Sequence, residues 1–444
     1  MRRSAFLAAA LLAGLTACTH APAPVPTPTQ TVTDGDWPTY HRDNRRTGNG
    51  SAQPTATTLT KAWSADLGGA VYGQPLVIGD RVLAATERDT IHALDARTGA
   101  PLWKVDAGDP VPRSDLPCGN IDPLGITGTM AYDEQTGLVF AVAETTGGAH
   151  TLLGVDVATG TVKLRRAVEP PLGDPIAHQQ RAALTVYAGR VYIAYGGLAG
   201  DCAKYIGSVV SAPTSGDGPL QSYAVPTPRE GGIWSPAGGM VVGQQLYFAV
   251  GNGESTSGFD GSDTVIALDH NLQRTGFFAP STWADDNARD LDLGSMTPAE
   301  VGDRLFIAGK RGVGYVLDPA NLGGIGGQRA QADVCKPFGG AATAGTTLYL
   351  PCGDGIRAAV VDPASGKITI GWHGPRGATG SPVLAGGAVW VVDVESGVLY
   401  LLDPADGHER ARLGIGRSPH FASPTVARGR GYVGTLTGVT AVGY

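Results

Sequence analysis

The chain has 444 residues, 42% of them hydrophobic and 16% charged, with 66 Gly and 31 Pro, a balance that permits a large buried core interrupted by many turns. Its 33 basic and 40 acidic residues give a net charge of −7 with no basic run to grip a phosphate backbone, which argues against nucleic acid as a partner. Five cysteines with no CxxC or CxxCH spacing exclude a c-type haem of its own.

In chain order, the first stretch, MRRSAFLAAALLAGLTAC, carries two arginines, an apolar run too short to span a bilayer, and a small-residue site ending in Cys18. It resembles a bacterial lipoprotein signal, residues 1–17, whose cleavage leaves Cys18 as the lipidated terminus. The Pro/Thr-rich residues 18–35 then read as an extended tether, which places a folded body, residues 36–444, on the extracytoplasmic side of a cell membrane. Beyond Cys18 there are four cysteines, and in an oxidising compartment two disulfides are expected rather than a metal site.

Residues 73–105, GQPLVIGDRVLAATERDTIHALDARTGAPLWKV, recur as residues 380–413 and less fully as residues 297–324. Each copy has a strand after Pro, a turn, an apolar strand, a second turn, and a strand ending in Leu-Asp; complete copies add a fourth strand. Repeats of about 40–50 residues with four short strands are propeller blades. Seven complete blades start near 70, 126, 182, 233, 294, 338 and 379. The eighth, residues 423–442, has three strands, and residues 60–67 supply the missing outer one. The expected fold is therefore all-β, a single eight-bladed β-propeller whose last open edge is closed by an N-terminal strand.

The pattern ALDARTGAPLW at 93–103, with echoes at GVDVATGTV and VVDPASGKITIGW, resembles the repeat of pyrroloquinoline quinone (PQQ) propellers. DWPTYHRDNRRTG, residues 36–48, resembles the opening of exported members, and the resemblance covers nearly all of residues 36–444. That family holds quinoprotein alcohol dehydrogenases and also lipoproteins that bind no quinone.

In a propeller, the loops leading into the innermost strand A and the turns between strands B and C share one rim. The long loops 108–125, 169–181 and 279–294 all fall on it, marking a binding face. Trp234 stands where sister blades have Gly73, Gly380 and Ala422, while Asn252 and Lys310 occupy B–C turns. Singly, these read as a space-filler, a turn residue and a solvated charge. The resemblance implies more: a tryptophan stacked on the quinone, an asparagine helping to hold calcium, and a base-side cation bonded to the quinone oxygens. PQQ and calcium are thus the implied cofactors.

TWADDNARDLDLGS, residues 282–295, holds four aspartates. Asp285 and Asp286 suit the start of a short helix. Asp290, and next Asp292, match the family's general base. Against the family pattern, no second acidic calcium ligand stands in a clear motif, although Glu169 is available, and adjacent cysteines are missing. His178 and Arg181, in HQQRAAL, reach the same rim as ligand contacts. Cys118 and Cys202 share that rim, and Cys335 and Cys352 lie on neighbouring strands, so each couple is an expected disulfide. On this balance the expected function is that of a monomeric, membrane-anchored binding or scaffold module whose rim meets an envelope protein or a small molecule. The alternative is PQQ- and calcium-dependent oxidation of an alcohol or polyol.

Overall fold

The Leu-Asp pairs of the repeat are turn devices. Asp95 Oδ1 accepts the backbone N–H groups of Arg97 and Thr98 at 3.1 and 2.8 Å, and Gly99 follows at φ +75°, where a side chain would be strained. The glycine also makes room, because a Cβ there would lie 2.7 Å from the ring of Trp63. Trp103 and Trp372 meet Gly160 and Gly407 in the same way. The indole N–H of Trp63, Trp103 and Trp372 donates to Ala96, Val157 and Pro404 carbonyls at 3.2, 3.0 and 3.0 Å. The repeat motif is thus a clasp between adjacent blades.

A computed structural model describes Met1, Thr33, residues 35–50 and residues 52–444; Cys18 and nearly all of the expected leader and tether lie outside the described residues. Eight sheets, each with a four-stranded antiparallel core, form the eight expected blades. In blade 1 the strands from the axis outward are A (Leu76–Ile78), B (Arg81–Thr86), C (Thr90–Asp95) and D (Pro101–Asp106). Strands B and C are buried almost throughout because both faces meet neighbouring blades, whereas D is largely exposed at the outer edge. Between blades 7 and 8 that layer holds Trp390, Tyr432 and Val439. Among the described residues no helix is long and apolar enough to cross a membrane.

Ring closure follows the sequence expectation. The strand Thr60–Asp66 pairs antiparallel with Gly438–Gly443, Ser64 opposite Thr440, as the outer strand of blade 8. Both expected disulfides are formed, Cys118–Cys202 with Cα atoms 6.1 Å apart and Cys335–Cys352 with Cα atoms 5.8 Å apart.

Residues 36–50 bond to every blade. Backbone contacts reach Val77, Tyr132, Val241, Thr343 and Leu384, and side-chain bonds reach Leu184, Glu300 and Ser423. Since most of these partners lie in or beside strand A, the segment fills the channel from the rim opposite the long loops. Its anchor is Arg46, only 2% exposed, whose guanidinium donates to Tyr40 O, Leu184 O, Thr39 Oγ1 and Thr185 Oγ1 at 3.1, 3.0, 2.8 and 2.6 Å. Arg46→Ala strands two buried carbonyls, and urea unfolding is expected to show a loss of about 3 kcal/mol. A change below about 0.5 kcal/mol would mean that the plug is not part of the cooperative unit.

Candidate functional site

A cavity of about 320 Å³ opens on the long-loop rim, and its wall includes Trp234, Asp290, Lys310 and Arg181. Trp234 leads into strand A of blade 4 (Met240–Val242). Its indole rests on backbone bare of side chains: a Cβ on Gly196, Gly232 or Gly251 would come within 2.4, 2.6 or 2.2 Å of the ring. The indole N–H donates to Gly197 O at 2.8 Å, which fixes the ring plane. In sister blades the matching position has no such room, since a Cβ on Gly73 would lie 3.0 Å from Thr129 Cα and one on Gly380 2.7 Å from Ala422 O.

The acidic loop opens with helix α1 (Trp283–Arg289), which carries Asp285 and Asp286 in its first turn and ends at Asp290 in the left-handed region, φ +52°. Asp tolerates that conformation better than most residues. Lys310 and Arg311, adjacent in the B–C turn of blade 5, take all four aspartates. Lys310 Nζ stands 2.5 Å from Asp290 and 2.9 Å from Asp292; Arg311 pairs with Asp285 at 2.5 Å and with Asp286. The Asp290 side chain is 59% exposed whereas that of Asp292 is 0%, so only Asp290 is open to a ligand. Burial lifts the Asp292 carboxyl to about 6 against the pull of Lys310. Burial also opposes the Lys310 charge, but the two aspartates outweigh it and raise its pKa.

Asn252 does not border the cavity. It is 7% exposed and adjoins Gly251 under the Trp234 ring, and its Oδ1 has no hydrogen-bond partner among the described residues. Asp263 Oδ2 is also unpartnered, and Asp292 Oδ2 has its ion pair but no hydrogen bond. Burial, with Asp286 and Asp292 nearby, pushes the Asp263 carboxyl well above its ordinary range. Buried oxygens short of donors suit a hard cation. Among the described residues, the one group of three acids or histidines with ligand atoms within 4.8 Å is Asp403, Asp406 and His408, on an outer turn where Arg410 already pairs with Asp403 at 2.6 Å. A cation beside Asn252 would therefore need oxygens from a bound ligand as well.

One expectation is corrected. His178 is 1% exposed and stays off the cavity wall, because its ring bonds Asp174 O at 2.8 Å and packs edge-on against Tyr195 and Tyr205. Glu169, the acid available in sequence for calcium, is engaged by His150, Oε2 to Nδ1 at 2.9 Å. Arg181 and its neighbour Gln179 do line the cavity.

The cavity lip is stapled. Asn120 and Ile121 of the long loop and Gly200 and Asp201 of the blade 3 turn both border the opening, and the Cys118–Cys202 disulfide joins the two segments. Tyr72, Asp201 and Phe421 also line the wall and escaped the sequence reading. A signal existed for two of them: Tyr72 and Phe421 both stand three residues before the proline of strand A, one place earlier than the position compared across blades. Asp201 carried none, since it is one acid in a turn.

Comparison with known proteins adds two kinds of likeness. The PQQ-repeat family model described as outer membrane protein assembly factor BamB matches residues 55–255. The chain is 25% identical over 356 residues to a polyvinylalcohol dehydrogenase of Sphingopyxis sp. (strain 113P3), covering 69% of this chain and 51% of that protein. It thus spans about half the length of the curated relatives it matches. In fold it is similar to quinohemoprotein alcohol dehydrogenase from Comamonas testosteroni, with a TM-score of 0.71, 17% identity, and coverage of 92% of this chain and 80% of the other. It is also similar to BamB from Moraxella catarrhalis, with a TM-score of 0.61, 16% identity, and coverage of 86% and 99%.

Proposed function

Because this chain is a PQQ-like, eight-bladed β-propeller, we propose that it is a quinone-dependent dehydrogenase of an alcohol or polyol, working with calcium in the rim cavity. The observation that carries this reading is the meeting of Trp234, Lys310 and Asp290 on one cavity wall, from three separate chain segments, with the unpartnered Asn252 Oδ1 behind the indole. A scaffold needs no such convergence.

A bound quinone with its cation supplies the two-electron acceptor. Trp234 offers the flat face against which the ring lies. Asn252 Oδ1, unpartnered behind the indole, would help to hold the cation together with oxygens of the bound ligand. Asp290 is the exposed carboxylate that receives the proton of a substrate hydroxyl, and Lys310 Nζ lies 2.5 Å from it. A polymeric polyol is favoured by the relative named polyvinylalcohol dehydrogenase and by a second cavity of about 610 Å³ that shares Tyr72, Asn120 and Ile121 with the first. The two disulfides accord with an extracytoplasmic setting.

The test is titration of the purified protein with PQQ and Ca²⁺, followed by quenching of tryptophan fluorescence and by dye-linked oxidation of an alcohol and polyol panel. Saturable binding that Trp234→Ala weakens by about tenfold is expected. No binding at micromolar quinone would overturn the enzyme reading and leave the BamB-like one, a rim that docks an envelope protein.

A further inference from the structure

We propose that Glu87 and Asp89 hold a calcium ion of their own, which ties the end of the long loop 108–125 to blade 1. This does not depend on the quinone reading: the pair lies in blade 1, away from Asn252 in blade 4.

Residues 87–89 are the whole turn between strands B and C of blade 1, with Asp89 at φ +52°. Both acids are turned inward, Glu87 being 2% exposed and Asp89 0%. Glu87 Oε2 accepts from Gly125 N at 2.8 Å and from Thr127 Oγ1 at 3.1 Å. Its Oε1 has no hydrogen-bond partner among the described residues, and in Asp89 neither Oδ1 nor Oδ2 has one. Both carboxyls close on Gly125: a Cβ there would lie 2.9 Å from Asp89 Oδ1 and 2.6 Å from the Glu87 carbonyl oxygen. Two carboxyls and a backbone carbonyl thus meet where the loop 108–125 ends.

A buried carboxylate without donors or counter-charge is costly. Burial foremost, then Glu87, Asp106 and Asp109, lifts the Asp89 carboxyl to about 8. Burial lifts Glu87 to about 7, although Arg181 offsets it in part. The charges acting on Asp89 are therefore negative, and one divalent ion neutralises the pair. Carboxylate and carbonyl oxygens, with no nitrogen or sulfur among them, select a hard cation. An irregular set of oxygens suits calcium better than magnesium, which demands a near-ideal octahedron. Glu87 also borders the cavity of about 610 Å³, together with Asp66 and Asp122, which gives the ion an acidic entry. The consequence reaches the rim cavity. Asn120 and Ile121 of the same loop form its lip, and the disulfide at Cys118 fastens that loop to blade 3. The ion fastens its other end to blade 1.

The test uses the purified chain stripped with EGTA, with no quinone added, and follows thermal unfolding while Ca²⁺ is titrated. The midpoint is expected to rise saturably by about 3–5 °C, and Mg²⁺ to raise it less. Asp89→Asn keeps the shape and removes the charge, so it is expected to abolish the rise, whereas Asn252→Ala keeps it. Survival of the rise in Asp89→Asn, or its loss in Asn252→Ala, overturns the proposal. So does the absence of any rise in the unaltered chain; a higher midpoint of Asp89→Asn without Ca²⁺ then identifies a proton as what the pair holds. Should Asp89→Asn not fold, Glu87→Gln takes its place. Should neither fold, calorimetric titration of Asn252→Ala decides, one tightly bound Ca²⁺ per chain supporting the site and none overturning it. Quinone binding is not read in any arm, so failure here leaves the dehydrogenase reading standing.

Discussion

A chain that begins after Leu67 is expected to lose its cooperative unfolding transition and to aggregate. The strand Thr60–Asp66 makes the whole outer edge of blade 8, and without it Gly438–Gly443, reading GVTAVG, is an open, nearly uncharged strand edge. The loss reaches the next blade, because Trp63 donates to Ala96 and packs on Gly99 of blade 1 and also lies 5.9 Å from the Tyr432 ring. Trp63→Ala alone should cost about 2 kcal/mol, part of the value for a fully buried ring because the residue is only partly buried. Urea unfolding and size-exclusion chromatography are the measurements. A chain beginning at residue 52 keeps the strand and loses the channel plug, so it separates the two contributions. A peptide of residues 58–68 added to the shorter chain should restore a single transition. An unchanged midpoint for the chain starting after Leu67 would show that closure is not what holds the ring.

The second large effect is on turnover. Asp290→Asn is expected to lower kcat by about a hundredfold to ten-thousandfold while quinone binding changes by no more than a few-fold. The amide keeps the size and the left-handed conformation of residue 290, so the end of α1 is preserved and what goes is the carboxylate facing the cavity. Asp292→Asn should separate from it. That side chain is buried under Lys310, and its replacement should lower the thermal midpoint and weaken the hold on Lys310. Dye-linked kinetics beside fluorescence titration reads both. Normal turnover in Asp290→Asn would move the base elsewhere and sink the assigned role.

The blades were legible because a propeller is a local repeat. Each four-stranded unit satisfies its own backbone bonds, so Pro, Gly-Asp and Leu-Asp recur where the chain must turn. The closing strand was legible for the same reason, as a missing fourth strand in blade 8. The cysteine couples followed from blade position, which sets which loops share a rim. Trp234 was visible as a break in that repeat, a ring where Gly73 and Gly380 have no room for a methyl group.

Other features needed the folded loops. The four aspartates of residues 282–295 are met by two adjacent cations, Lys310 and Arg311, from the next blade, and no spacing rule joins the two segments. Of Asp290 and Asp292, which look alike in sequence, burial alone makes one a candidate base and the other a support. His178 and Arg181 are three residues apart at the end of one long loop, yet one is consumed by backbone and tyrosines and the other faces the cavity. The sequence by itself determined the architecture and the rim, because these depend on turns and strand periodicity within each blade. Which charges are paired and which stay open to a ligand came from the folded structure alone, because pairing and burial depend on side-chain distances between loops that neither turn signals nor strand periodicity sets.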